Sequence, residues 1–403
     1  MKKIIALLLL LLAEVTGYGQ NYIYIKDIPA TVSFPDDFEE VSDNVNKKYT
    51  HLSAKNINGD SLKAAYMTEV KAAKTNLEYG DILIRYFSEL KNSHASVIFK
   101  KYYIDCSAIL VEDRVFLSYA GDSTFIHNHI KAKDEILKIN NIPVLAYITN
   151  HAKYTSASTA LHAKYLTVSG LFSSYYEEDR TFTIKTATGE KDITVHFEDK
   201  AARQIPKSDG KVKSNVESKM LNDSVAYIAI QSMTGNVVEE FTKAFDSLGK
   251  SSSLIIDLRR NQGGNSGYSE KITEYLISSR QKACVSNRWL NPRDNHFQGK
   301  LFVLTSPYTV SAAESLVIDL QESGSATLVG MPTAGDTGNQ PRFYSSKMGY
   351  SYWFPSRSAP QVSPKGFPME GKSIQPLYPV SRTVAEYLED KDTILNYALT
   401  LIK

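Results

Sequence analysis

The chain is poor in cysteine, with only Cys106 and Cys284 among 403 residues. Two thiols exclude a disulfide framework and a multi-cysteine zinc site, and leave open one disulfide or two buried free thiols. An excess of one charge is also missing. Lys and Arg number 46 against 44 Asp and Glu, a net of +2, and no basic run is interleaved with aromatics, which argues against nucleic acid as a partner. No apolar run reaches the ~20 residues that a membrane-spanning helix needs. There is no repeat, low-complexity tract or long Pro/Gly/Ser linker to mark domains, and no fingerprint of phosphate or dinucleotide binding. What remains, at 42% hydrophobic and 22% charged residues, is an ordinary globular composition with length for two or three domains.

Periodicity supplies the organisation. Met1-Lys2-Lys3, an apolar stretch from Ile4 to Val15 and Gly17-Tyr18-Gly19 before Gln20 together read as a secretory signal over residues 1–19. The mature protein is therefore expected to be exported, periplasmic or secreted, with no membrane span after signal removal. Residues 20–100 read mainly as helices, with Ala64, Met67, Val70 and Ala73 at helical spacing. Residues 101–199 carry short β-rich runs broken by turn signals such as Ala187-Thr188-Gly189-Glu190. A lysine-rich stretch from Lys200 to Asn215 follows. From residue 216 to 403 strands alternate with helices: Leu254 to Leu258, Tyr268 to Ser278, Lys300 to Thr305, Ala312 to Glu322. That alternation predicts an α/β domain with a largely parallel sheet.

Open α/β sheets place their chemistry at the carboxyl ends of their strands. After Leu254-Ile-Ile-Asp-Leu comes Arg259-Arg260-Asn261-Gln262-Gly263-Gly264, where glycines let backbone N–H groups face a cleft or simply make a tight turn. After the strand ending at Thr305, Ser311 falls at a helix N-terminus. It could cap that helix with Glu314 as the box partner, or be a nucleophile in the positive field of the helix beside the free N–H of Ala312. His127-x-His129 could ligate zinc from one strand face, but no further spaced ligands accompany it.

Three ordered segments carry a resemblance. Asp257-Leu-Arg-Arg-Asn-Gln-Gly-Gly, Ser306-Pro-Tyr-Thr-Val-Ser311-Ala-Ala-Glu and Gly330-Met-Pro-Thr-Ala-Gly335-Asp-Thr-Gly-Asn-Gln340 resemble the C-terminal processing (tail-specific) serine peptidases and their tricorn-like relatives. The resemblance implies a ClpP/crotonase-like α/β catalytic domain. More loosely, the run from Ile130 to Val144 resembles part of a PDZ domain. In the processing branch a lysine 25 residues after the serine is the general base; here that position is Asp336, and no lysine occurs between Lys300 and Lys347. The tricorn-like branch instead takes a histidine that follows a polar residue, matched by Ser93-His94, and a carboxylate some 59 residues after the serine, matched by Glu370 in Met369-Glu370-Gly371. The pattern after Glu370 departs from the family's, with Leu377 in place of an Asp.

The resemblance thus implies a serine peptidase with a Ser93, His94, Ser311, Glu370 tetrad. Ser311 would be the nucleophile, His94 the general base, Glu370 the group that orients the histidine or polarises Ser93, and the N–H groups of Gly264 and Ala312 the oxyanion hole. It implies a peptide or unfolded protein as substrate and requires no metal or organic cofactor. Two other readings stay open at this point: an inactive peptide- or apolar-ligand-binding protein on the same fold, and a serine working with Asp336 and no histidine.

Overall fold

Residues 23–29, 33–198, 214–248, 251–357 and 362–402 are described by the computed structural model of the protein. The expected signal segment and most of the lysine-rich stretch lie outside them. The alternation after residue 214 forms a six-stranded sheet in the order Val216–Asn222, Val225–Ile230, Ser253–Asp257, Lys300–Thr305, Ala326–Gly330, Tyr378–Pro379. Its first pair is antiparallel and the rest are parallel. Ser253–Asp257 is buried at every position, as a central parallel strand covered on both faces must be. Leu254 and Ile256 join a core with the Val237–Leu248, Ser266–Thr273 and Ala312–Ser323 helices, while Ile255 faces the Thr393–Leu401 helix on the other side. Each such aliphatic side chain contributes about 1.5–3 kcal/mol by leaving water.

One helix is shorter than its periodicity predicts. Expected to run to Ser278, it ends at Thr273, because Tyr275 N–H and Leu276 N–H bond three residues back, to Ile272 and Thr273, and tighten the chain out of the α-helical spacing. Its start is fixed by Asn265, whose side chain accepts from Gly267 N–H.

Residues 106–197 form an antiparallel sheet, Cys106–Val111, Arg114–Ala120, Glu135–Ile139, Glu178–Thr186, Gly189–Phe197. The Ala160–Ser169 helix belongs to this region and contacts its first strand. His127 ends a short helix, Ser123–His127, so His127 and His129 do not share a strand face. Cys106 and Cys284 are both buried free thiols, which decides the alternative left open by the sequence. Among the described residues no helix is long and apolar enough to cross a membrane.

The feature that shapes the site is a third, small sheet. Ser96–Ile98 pairs with Ser351–Trp353, which pairs in turn with Arg342–Tyr344. Tyr350, Tyr352 and Phe354 lie in the core of the three N-terminal helices, Phe34–Lys48, Gly59–Ala72 and Asn76–Ser88. The helical lead-in is thereby pinned beside the segment that follows Asp336.

Candidate active site

Ser311 stands at the turn between the Lys300–Thr305 strand and the Ala312–Ser323 helix, with φ 56° and ψ −120°. A side-chain-bearing residue there costs roughly 1–3 kcal/mol and persists only when its surroundings fix it. They do: Ser311 N–H donates to Asp336 C=O and to Glu314 Oε2, each at 3.1 Å, and Val310 N–H donates to Asn261 C=O at 3.0 Å. Glu314 is therefore more than a capping residue. Wholly buried, it also accepts from Thr333 Oγ1 at 2.6 Å, Gly335 N–H at 2.7 Å and Asp336 N–H at 3.0 Å, and so ties the Ser311 turn to the 333–336 loop. Burial pushes its carboxyl up to about 8 despite those donors.

The glycine turn lies against Ser311. Gly263 has φ +95°, and a Cβ there would come within 2.8 Å of Ser311 Cβ and of Val310 C=O. Gly263 N–H is taken by the Asn261 side chain at 2.9 Å. Among the described residues, the N–H groups of Gly264 and Ala312 have no acceptor, so two free donors flank Ser311. Gly264 is fixed by its neighbours, since Met233 N–H donates to Gly263 C=O and Asn265 N–H to Met233 C=O, both at 2.8 Å.

His94 arrives from the other side. Its Nε2 is 3.2 Å from Ser311 Oγ and its Nδ1 is 2.9 Å from Asp336 Oδ1, giving a continuous line from serine to imidazole to carboxylate. The ring is almost buried and Asp336 completely so. Asn92 braces the segment: its Oδ1 accepts from His94 N–H at 2.7 Å and its Nδ2 donates to Thr337 C=O at 2.9 Å. Ser93 contributes its backbone N–H, which donates to Asp336 Oδ2 at 2.7 Å. Burial would raise the Asp336 carboxyl, but the imidazoles of His162 and His94 outweigh it and hold the group well below the usual aspartate range.

Glu370 is placed differently from the expectation. Its carboxylate makes no hydrogen bond to His94 and instead pairs with Lys55 Nζ at 2.5 Å, accepts from Ser158 Oγ, and takes Thr337 N–H at 2.7 Å. Lys55 in turn donates to Lys91 C=O. Glu370 therefore braces the 336–337 loop against the segment leading to His94. Burial and the nearby Asp336 charge raise its carboxyl, with Lys55 opposing. His51, also buried, has both ring nitrogens without partners; burial and Lys55 push it down to about 4.

Of the predicted residues, then, Ser311, His94, Gly264 and Ala312 converge on one spot. Ser93 reaches it through its backbone and Glu370 stands behind the loop. The carboxylate facing His94 is Asp336, which the sequence offers as the residue in place of the lysine and as a partner for Ser311 without a histidine, not as the partner of His94. The Gly335-Asp336-Thr337-Gly338 turn by itself carries no sign of that burial or of the imidazole against it. Among the described residues no group of three or more His, Cys, Asp or Glu side chains could hold a metal ion.

Comparison with known proteins gives the family and the fold. Residues 224–379 match the model of peptidase family S41, and residues 110–198 match that of the Bacteroidetes S41-family N-terminal domain. The carboxy-terminal processing protease CtpB of Bacillus subtilis (strain 168) is 29% identical over 128 residues, 30% of this chain; the match spans only 27% of that relative's length. In fold, the chain is similar to mature CPAF complexed with lactacystin, with a TM-score of 0.74 at 13% identity over 92% of this chain and 97% of that one. It is similar also to the tricorn protease, with a TM-score of 0.51 at 18% identity over 92% of this chain and 36% of that one.

Proposed function

Because the chain belongs to peptidase family S41, we propose that it is a serine-type peptidase whose working groups are Ser311, His94 and Asp336. The observation that carries this reading is the serine–imidazole–carboxylate line, 3.2 Å and 2.9 Å long, beside two free N–H donors. His94 Nε2 takes the Ser311 proton as Oγ attacks the scissile carbonyl. Gly264 and Ala312 N–H donate to the tetrahedral oxyanion. His94 then returns the proton to the departing amine, and water, activated by the same imidazole, releases the acyl group and regenerates Ser311. Asp336, the reading holds, orients His94 and stabilises the imidazolium. Glu370 and the Ser93 backbone position the loop that carries it.

The substrate class is a peptide or unfolded protein, and the antiparallel region at 106–197 is the proposed PDZ-like module that presents it. Export, inferred from the Met1–Gly19 segment, belongs to the same reading. Reaction with a fluorophosphonate probe tests the site. Wild type should be labelled at Ser311, with labelling abolished in Ser311→Ala and His94→Ala. A well-folded wild type that takes no label sinks the peptidase reading in favour of a binding protein on the same fold.

A further inference from the structure

Asp336 has a second imidazole on it. His162, on the Ala160–Ser169 helix of the 110–198 region, is 1% exposed, and its Nδ1 lies 3.7 Å from Asp336 Oδ2, opposite the oxygen that faces His94. That nitrogen is buried with no hydrogen-bond partner, a costly state, and the Asp336 carboxylate is the group it faces at 3.7 Å. The residues at the same helix start touch the loop once directly and once through Glu370, which accepts from Thr337 N–H. Thr159 Oγ1 donates to Ala334 C=O at 2.8 Å, and Ser158 Oγ donates to Glu370. Gly335 fits beneath it, since a Cβ there would come within 2.9 Å of Thr159 Cγ2.

We propose that His162 is a positioning residue for the His94–Asp336 pair, so that the Ser311 centre is competent only when the 110–198 region is seated on the 334–337 loop. This rests on the peptidase reading above. Asp336 Oδ2 already accepts from Ser93 N–H at 2.7 Å, and His162 Nδ1, at 3.7 Å, sets a buried imidazole against the same oxygen from a region of the fold that supplies neither Ser311 nor His94. The other titratable groups that interact with Asp336 are Tyr49, His51, Glu314 and Glu370, with Lys55 paired to Glu370. None of them provides an imidazole on Oδ2.

The test uses the full chain, with His162→Leu removing the polar nitrogen and His162→Gln restoring a donor. Fluorophosphonate labelling rate is followed at neutral pH, with thermal melting as the check on fold. Wild type must label first; its failure to do so removes the peptidase reading, while the NMR arm below still judges the His162–Asp336 pair. In folded His162→Leu the neutral-pH rate should fall about tenfold, as small misplacements do, and His162→Gln should recover most of it. A wild-type rate in His162→Leu overturns the proposal, as does a His162→Gln that recovers none of the loss. If His162→Leu does not fold, imidazole NMR of wild type decides: a His162 signal that moves on Asp336→Asn supports the pair, and one that does not move refutes it.

Discussion

The two sides of the site are built by different means. Ser311, Gly264 and Ala312 come from turns at the ends of adjacent parallel strands, 253–257 and 300–305, and are fixed largely by backbone hydrogen bonds within that sheet's own loops. His94 and Asp336 are 242 residues apart in sequence and meet through side chains: Asn92, Lys55, Glu370, Ser158 and Thr159. The serine side is thus a property of one folded sheet. The imidazole side is conditional on the helical lead-in, the 106–197 region and the 334–337 loop assembling together. A fold arranged this way can keep its nucleophile strained and ready while leaving the base dependent on assembly.

Substituting the two carboxylates of the imidazole side should separate orientation from bracing. Asp336→Asn is expected to lower the rate by up to about 10⁴, because an amide holds the wrong imidazole tautomer, with the fold largely kept. Glu370→Gln should act mainly on stability instead. It leaves Lys55 buried without its counter-charge, and breaking such a pair costs about 3–5 kcal/mol. Labelling rate per folded molecule and chemical denaturation distinguish them. Should folded Glu370→Gln lose more rate than Asp336→Asn, Glu370 would be the orienting carboxylate after all.

The serine side should break locally. Gly263→Ala forces a Cβ to within 2.8 Å of Ser311 Cβ at a φ of +95°. Displacing Ser311 or the adjacent Gly264 donor is expected to cost about 10²–10³ in rate, the loss usual for one oxyanion donor. Gly349→Ala is the control: its φ is +72° but nothing lies within 4 Å, so only the backbone penalty of about 1 kcal/mol should appear, in the melting temperature and not in the rate. Equal rate losses in the two variants would mean that the Gly263 turn is merely structural.

What the sequence revealed follows the same division. The strand–helix alternation and the Ala312 helix were legible because local periodicity determines them, and they put Ser311 and Ala312 at one strand end and Gly264 at another; that these belong to one site came only from the resemblance. His94 was legible only through resemblance. The role of Asp336 was not, because nothing within a Gly-Asp-Thr-Gly turn says that a histidine from the lead-in will face it. His162 was hidden for the same reason: a helix turn in the 106–197 region gives no sign that it packs against another region's buried acid. The substitution of Asp336 for the lysine and the distance of Glu370 from His94 go together, since a carboxylate already on Nδ1 leaves Glu370 free to pair with Lys55.

The division extends to pH, with the smallest expected effect. On the serine side, burial raises Glu314 to about 8 and Asp319 to about 7. Asp319 accepts Cys284 N–H with one oxygen, while its other oxygen is buried without a partner, consistent with a protonated carboxyl. Such groups are protonated in the folded chain where they would be ionised in the unfolded one. Their contribution is fully present below their ordinary values of 4.5 and 3.8, and is lost as pH rises through about 7 to 8. Asp336 has the opposite sign: its depressed value contributes stability above the ordinary 3.8 that disappears as pH falls below it. Unfolding free energy should therefore decline between pH 5 and 8 by at most about 1.4 kcal/mol per unit for each raised group. Asp319→Asn, which keeps an acceptor for Cys284, should flatten that decline without touching the acid side, and Asp336→Asn should soften the acid side alone. An Asp319→Asn protein with the wild-type slope would mean that Asp319 is ionised in the fold, and that the serine side owes its pH dependence to Glu314.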